Sequence, residues 1–234
     1  MTLRLHWSPD SANLVVRAAL EMFGLEYQGV RIDRAGRSHK SPDYLEKNPQ
    51  GLIPVLEDGE IVLFETGAIL WHLAEKTGRL GPCGPGMEDP QARAAALKWL
   101  FYLSNTIHAD MRVAFYTHRW IRPELVGDLR EGLARRLREH FNLIEGQLGR
   151  GGLLGPEVTI LDIYTLILSR WLRIFPFDGP LVRDLEAWPR LTALAERVEG
   201  LPAMRRAFEA ESIAPDHALT RPARADLPLV EITG

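Results

Sequence analysis

Between positions 81 and 86 the chain reads Gly81-Pro82-Cys83-Gly84-Pro85-Gly86, three glycines and two prolines in six residues. No helix or strand continues through such a run, because proline lacks an amide donor and glycine loses the most backbone freedom on ordering. The run divides the 234 residues into two stretches whose apolar periods differ. Before it, Leu3, Leu5 and Trp7 alternate with Arg4 and His6, a period of two; Val15, Ala18, Ala19 and Met22 then recur at helical spacing up to Gly24. Tyr27 to Ile32 reads as a second strand, and the polar stretch from Asp33 to Lys47 holds at most a short irregular helix before Asn48-Pro49-Gln50-Gly51 turns the chain. Two apolar runs, Leu52 to Glu57 and Ile61 to Phe64, flank Asp58-Gly59-Glu60, a strong hairpin signal. Thr66 is placed to cap a helix carrying Ile69, Leu70, Leu73 and Ala74 and ending near Gly78. The predicted order is β-α-β-(α)-β-β-α, a small mixed sheet between helices.

After the break the pattern is helical. Ala92, Ala95, Ala96, Trp99, Leu103 and Ile107 mark one face, and Leu129, Leu133, Leu137, Phe141, Ile144 and Leu148 another. Helices are predicted at about Thr159 to Ile174, Trp188 to Val198 and Pro202 to Glu211, with no strand after Phe64. At roughly 150 residues per domain, two small domains are the better expectation. The boundaries fall at residues 1–80, a linker 81–90, a helical bundle 91–214 and an extended, proline-punctuated tail 215–234.

Apolar residues make up 46% and charged residues 25%, which excludes disordered, collagen-like and disulfide-framed chains. The formal net charge of −3 offers no electrostatic footprint for nucleic acid or an anionic membrane. Cys83 is the sole cysteine, so no intramolecular disulfide and no Cys/His metal cluster is expected. The N-terminus lacks a signal-peptide pattern and no run of 18 apolar residues occurs. A soluble, cytoplasmic protein acting on a small molecule is expected.

Several motifs converge on one family: Asn48-Pro49-x-Gly51-x-Ile53-Pro54-Val55-Leu56, then Asp58-Gly59, Glu65-Thr66-Gly67-Ala68-Ile69, and Gly155-x-x-x-Thr159-x-x-Asp162. Through these the chain resembles a cytosolic-type, bacterial glutathione S-transferase over about residues 3 to 210. The resemblance implies an α+β thioredoxin-like N-terminal domain that binds glutathione, followed by an all-α helical-bundle domain with the electrophile pocket, and a homodimer. It implies a cis Ile53-Pro54 bond, with the Ile53 backbone pairing the cysteinyl part of glutathione like an added strand. On sequence alone Pro54 marks only an edge or bend. Glu65 and Thr66 would hold the γ-glutamyl ammonium and carboxylate, which suits a helix start carrying a hydroxyl beside an acid. His39 and Lys40 lie where the family places a cation for the glycyl carboxylate, although they also read as a solvated surface pair. The family often has a polar side chain where this chain has Leu52, so somewhat weaker glutathione binding is expected. Thr159 and Asp162 read as a capping box, a folding device outside the site.

The reaction implied needs the glutathione thiol as thiolate, activated by a donor at the start of the first helix. The loop there is Trp7-Ser8-Pro9-Asp10-Ser11-Ala12-Asn13. The family's cysteine-bearing subclass would carry its cysteine near Ala12, and no tyrosine is available. Ser11 ranks first, Asn13 second and Ser8 third; Ser11 or Asp10 acting only as a helix cap is the competing reading. Asp10 is expected to point away, since a carboxylate facing the sulfur would oppose ionisation. His108, with Arg112 and Asn105 at helical spacing, is a candidate for the substrate pocket, with the resemblance raising His108 as a donor near the sulfur. Tyr116, with Tyr102, Trp120 and Trp171, is a candidate for an apolar wall, though such aromatic stripes are usually core.

The expected activity is glutathione transfer to a small apolar electrophile, with glutathione as co-substrate and no metal. The alternatives are a glutathione-dependent disulfide or peroxide oxidoreductase, isomerisation of a small unsaturated acid held by His39, Lys40 and Arg112, and a catalytically silent binding module on the same scaffold.

Overall fold

The computed structural model describes residues 2–83, 85–149, 151–176, 181 and 185–213. Its N-terminal part is β1 (Leu3–Trp7), α1 (Asn13–Phe23), β2 (Tyr27–Arg31), a 3-10 turn and α2 (Pro42–Lys47), β3 (Val55–Asp58), β4 (Ile61–Phe64) and α3 (Thr66–Thr77). The sheet order is β2-β1-β3-β4, with β1 parallel to β2 and β3 antiparallel to both neighbours. This is the small mixed sheet that the alternation of periods predicts and the open, thioredoxin-like arrangement that the resemblance implies. The Asp58↔Ile61 pair closes the hairpin over Gly59, whose φ of 65° suits the two-residue turn. Gly24 and Gly78, both left-handed, end α1 and α3.

Helices make up the remainder: α4 (Pro90–Phe101), α5 (His108–Phe115), α6 (Val126–Gln147), α7 (Ile160–Ile174), α8 (Pro189–Glu199) and α9 (Pro202–Ala210). Among the described residues no strand follows β4, and no helix is long and apolar enough to cross a membrane. A π-helical segment, Tyr102–Ile107, joins α4 to α5, so the helix expected to be regular carries a wide turn of a kind that often marks functional sites. The expected tail 215–234 lies outside the described residues.

The sheet is covered on both faces. Leu3, Leu5 and Leu56 join the main core with α1 and α3, while Ile32, Tyr44 and Val55 form a smaller core on the other face. There the Tyr44 ring meets His6 edge-on, with centroids 5.8 Å apart. The periodicity of α1 marks one apolar face, yet every residue of that helix except Glu21 is buried. The reason is tertiary: α3, α7 and α9 all pack against it. Helix α7 is likewise buried except at Arg173.

Gly81 sits where the chain passes the start of α7, and a Cβ there would lie 2.1 Å from the Val158 carbonyl oxygen. Beside it, Ile160 N–H donates to the Leu80 carbonyl at 2.9 Å. The break is therefore also a close-packed joint, and only glycine fits it. Thr159 and Asp162 form the expected capping box. Asp162 accepts from Thr159 N–H and the Thr159 hydroxyl, both at 2.8 Å, and from Leu153 N–H at 3.0 Å. Burial raises the pKa of this carboxyl, and the three donors act against the shift. Asp162→Ala would strand three buried donors, so a loss of about 2–4 kcal/mol is expected in urea denaturation; a loss below about 0.5 kcal/mol would mean that the box does not hold α7.

Candidate active site

Strand register gathers the candidate residues at one end of the sheet. His6 pairs with Val55 and Val55 with Phe64. The loop that follows β1, the Ile53-Pro54 bond that precedes β3 and the Glu65-Thr66 start of α3 are therefore neighbours. Ile53-Pro54 is cis, and Ile53 lies ahead of the β3 ladder. The strand starts at Val55 rather than at Leu52 as expected, because Leu52 is held by the loop: its carbonyl accepts from Tyr44 Oη and Asn48 Nδ2, both at 2.8 Å.

Thr66 is not the cap of α3. It is the first helical residue and is buried, while Glu65 occupies the cap position at φ 72°, ψ 115°. That left-handed φ is costly for a non-glycine residue. Glu65 makes no side-chain cap to the helix, so the first amides of α3 face the site with an exposed carboxylate beside them. Gln50 ties this corner together: Gln50 Nε2 donates to Glu65 Oε1 at 2.9 Å, and Lys40 Nζ donates to the Gln50 carbonyl at 2.9 Å. Lys40 and Glu65 are thus linked through a residue that the sequence marked only as part of a turn. His39 stands among Lys40, Arg34, Arg37 and Arg119, and burial first, then these cations, lowers its pKa.

Neither Ser11 nor Asp10 caps α1. Ala12 holds the cap position with no side-chain hydrogen bond, because the loop's polar groups bond among themselves and to distant helices. Asn13 Oδ1 accepts from Ser8 N–H at 2.9 Å and from the Ser11 hydroxyl, which also lies 3.1 Å from the Ser8 carbonyl. Asn13 Nδ2 donates to Glu211 Oε1. Glu211 also accepts from Asp10 N–H and from Arg17 Nε, each at 2.9 Å. Asp10, at φ 48°, turns its carboxylate to Arg170 and to Trp171 Nε1, the latter at 3.1 Å. Burial pushes the Glu211 pKa up to about 7 against the opposing pull of Arg17.

The helical layer closes the far side. Gly67 packs against the π segment, with Ser104 3.4 Å from where its Cβ would be. His108 Nδ1 lies 2.7 Å from Tyr164 Oη, and its ring is 5.4 Å from that of Trp171. Burial raises the Tyr164 pKa, with the Glu65 charge adding to the shift. Arg112 acts electrostatically on His108 but is exposed. Tyr116 caps the end of α5 with the Arg119 guanidinium 4.9 Å from its ring centroid. The four aromatic candidates do not form one wall. Trp171 is buried beside Asp10, Trp120 is 64% exposed, and Tyr102 lies against His140, its Oη 2.7 Å from Nδ1.

Glu211, Arg170, Tyr164 and Gln50 escaped sequence reasoning. Glu211 and Arg170 carry charges in helical text, where a solvated face is the ordinary reading. The partners of Glu211 lie 194 to 201 positions away, and no local pattern encodes that.

Comparison with known proteins bears on this arrangement. The family model described as "Glutathione S-transferase, N-terminal domain" matches residues 1–75. Glutathione S-transferase 3 of Zea mays is 31% identical over 220 residues, covering 91% of this chain and 96% of that protein. Among solved structures, a glutathione transferase homolog from Sulfitobacter with bound glutathione superposes with a TM-score of 0.75 at 27% identity, covering 91% of this chain and 99% of that one. A sphingomonad glutathione S-transferase complexed with glutathione gives 0.74 at 27% identity, covering 90% and 100%.

Burial, and then the nearby Arg112, lower the His108 pKa from 6.5 to about 4. Between those values the unfolded chain takes up a proton that the native one refuses. The stability due to neutral His108 is therefore complete above about pH 6.5 and lost as pH falls toward 4. The urea midpoint should fall between about pH 7 and pH 5, and His108→Gln should reduce that fall; an equal fall in the variant would assign the acid sensitivity to other groups.

Proposed function

The chain belongs to the glutathione S-transferase family, and on that premise we propose that it binds glutathione at the sheet end and activates its thiol for attack on an apolar electrophile. The observation that carries this reading is the register His6–Val55–Phe64, which sets the Ser11 loop, cis Ile53-Pro54 and the start of α3 side by side. The glutathione held by the Sulfitobacter and sphingomonad relatives supplies the ligand.

In this reading Ile53 pairs its backbone with the cysteinyl unit, the open amides of α3 and the Thr66 hydroxyl take the γ-glutamyl carboxylate, and Glu65 takes the ammonium. His39 and Lys40 face the glycyl end, Lys40 braced by the Gln50 carbonyl. The uncapped start of α1, with no acid in its first turn, offers positive potential to a sulfur anion. Ser11 turns its single proton from Asn13 Oδ1 to the thiolate, while Asn13 Oδ1 keeps the loop in place through Ser8 N–H. The thiolate then forms a carbon–sulfur bond while the electrophile's leaving group departs with the bond pair. Residues 1–80 form the glutathione-binding domain and 91–214 the domain supplying the electrophile pocket, with His108, Arg112 and Tyr116 near its mouth. The protein acts in the cytoplasm. A homodimer belongs to this reading, and the exposed Phe101 and Leu143, which line one groove with Trp99 and Tyr102, offer it an apolar face.

A free thiol has a pKa near ~8.5, and lowering it by about two units requires roughly 3 kcal/mol of preference for the anion. Ultraviolet difference titration of bound glutathione should show a lowered thiol pKa in the wild type. Ser11→Ala should return it toward ~8.5 and reduce kcat about a hundredfold with little change in glutathione affinity. A wild-type thiol with an unshifted pKa, or no binding, would sink the transferase reading; a lowered pKa untouched by Ser11→Ala would move the donor to Asn13 or the backbone. Glu65→Gln should weaken glutathione binding about tenfold by removing the ammonium partner, as calorimetry would show.

A further inference from the structure

We propose that Glu211 is a positioning residue for the thiol-activating loop: by accepting from Asp10 N–H and Asn13 Nδ2, on either side of Ser11, and so turning Asn13 Oδ1 onto Ser8 N–H, it fixes where the Ser11 hydroxyl stands. The proposal rests on the reading above, in which Ser11 acts on the glutathione thiol.

Glu211 lies just past α9, 4% exposed, and its two oxygens meet three donors. One is Arg17 Nε on α1; the others, Asp10 N–H and Asn13 Nδ2, flank Ser11 in sequence. An ion-pair partner for Arg17 would need only one of these contacts. A carboxylate accepts and does not donate, so the Asn13 amide facing it has one orientation, nitrogen toward Glu211 and oxygen toward Ser11. Replace the carboxylate by a group that both donates and accepts, and the amide can turn over, setting Nδ2 against Ser8 N–H, donor facing donor, which releases the loop from its position.

The charged groups around Glu211 support the same role. Arg17 faces it from α1 and is itself held by Tyr27 Oη at 2.9 Å, which donates to Glu21 Oε1 at 3.0 Å. Asp10 approaches from the loop, and its carboxylate is occupied by Arg170 of α7, on which the half-buried Glu199 at the end of α8 also acts. Two acids and two arginines, Asp10, Glu211, Arg17 and Arg170, thus balance around the loop. Burial brings the Glu211 titration to about 7. Protonation below that point puts a hydrogen where a donor now sits and loosens Asn13.

The test is Glu211→Gln in the full chain, with bound glutathione as the probe. The variant is expected to raise the thiol pKa of bound glutathione and to lower kcat about tenfold, with KM for glutathione within about twofold of wild type. The fall in kcat below about pH 7 should also lose the component that Glu211 contributes. Asn13→Ala should cost a similar factor, and the double variant should be no worse than the poorer single one, since both act through one amide. Stranding the buried Arg17 can unfold Glu211→Gln; in that event Arg17→Leu with Glu211→Gln removes the unpaired charge, and the same deficit should persist. Wild-type thiol pKa and kcat in a folded Glu211 variant would overturn the proposal, as would effects of Glu211→Gln and Asn13→Ala that multiply independently. A wild type that binds no glutathione would overturn the transferase reading and this proposal together. A wild type with a lowered thiol pKa that Glu211→Gln leaves unchanged would overturn this proposal alone.

Discussion

Helix α1 is buried on every side except at Glu21, and that burial takes Asn13 and Arg17 out of water. A buried guanidinium is tolerated only with a paired carboxylate and satisfied hydrogen bonds. The carboxylate and the hydrogen bonds to Nε and Nη1 come from afar, while Nη2 has no partner among the described residues. Glu211 comes from the end of the helical layer, and Tyr27 from β2. Removing one member of such a pair typically costs about 3–5 kcal/mol, because the other charge is left behind. The sheet and the helical bundle are accordingly locked at α1, whose neighbours include α3, α7 and α9. The glycine–proline run divides the text of the sequence but not the interior, since Gly81 is seated on Val158 and Leu80 bonds Ile160.

Much of the fold was legible because its signals are local. The hairpin over Asp58-Gly59, the glycine stops at Gly24 and Gly78 and the Thr159–Asp162 box each depend on residues within a few positions of one another. The errors arose where tertiary contacts decide. Thr66 has the right chemistry for a cap, yet the chain bends one residue earlier, at Glu65, with its positive φ. Ser11 and Asp10 are equally plausible caps by composition, but Asn13, Arg170 and Trp171 claim their side chains. The π segment has no periodic signature of its own, and it lies where α4 runs past the start of α3. It also separates Tyr102, turned to His140, from His108, turned to Tyr164, although both were read on one continuous helix.

The candidate site was legible to a different depth on its two sides. The residues proposed for glutathione lie in motifs whose spacing is short, and strand register then brings the motifs together. The electrophile side depends on which face of α5 meets which face of α7, information that no short window contains. There Tyr164, absent from the sequence reading, bonds to His108, and Trp171 passes from wall candidate to partner of Asp10.

Electrostatics pose the remaining problem for the proposed mechanism, in which a thiolate forms near Asp10, Glu65 and Glu211. The structure answers each acid separately. Asp10 is spent on Arg170 and Trp171, Glu211 on Arg17 and two loop donors, while Glu65 stands exposed, where water screens it. With those charges compensated, the uncapped start of α1 and the Ser11 hydroxyl are left as the local preference for an anion. His108 does not add a positive charge, because burial beside Tyr164 and Trp171 keeps it neutral at pH 7. Stabilisation of the sulfur in this arrangement therefore has to come from dipoles and a hydroxyl rather than from a cation, and dipoles act only when held in position. That requirement accounts for a loop in which the side chains of Asp10, Ser11 and Asn13 are each tied to a helix or to the loop's own backbone.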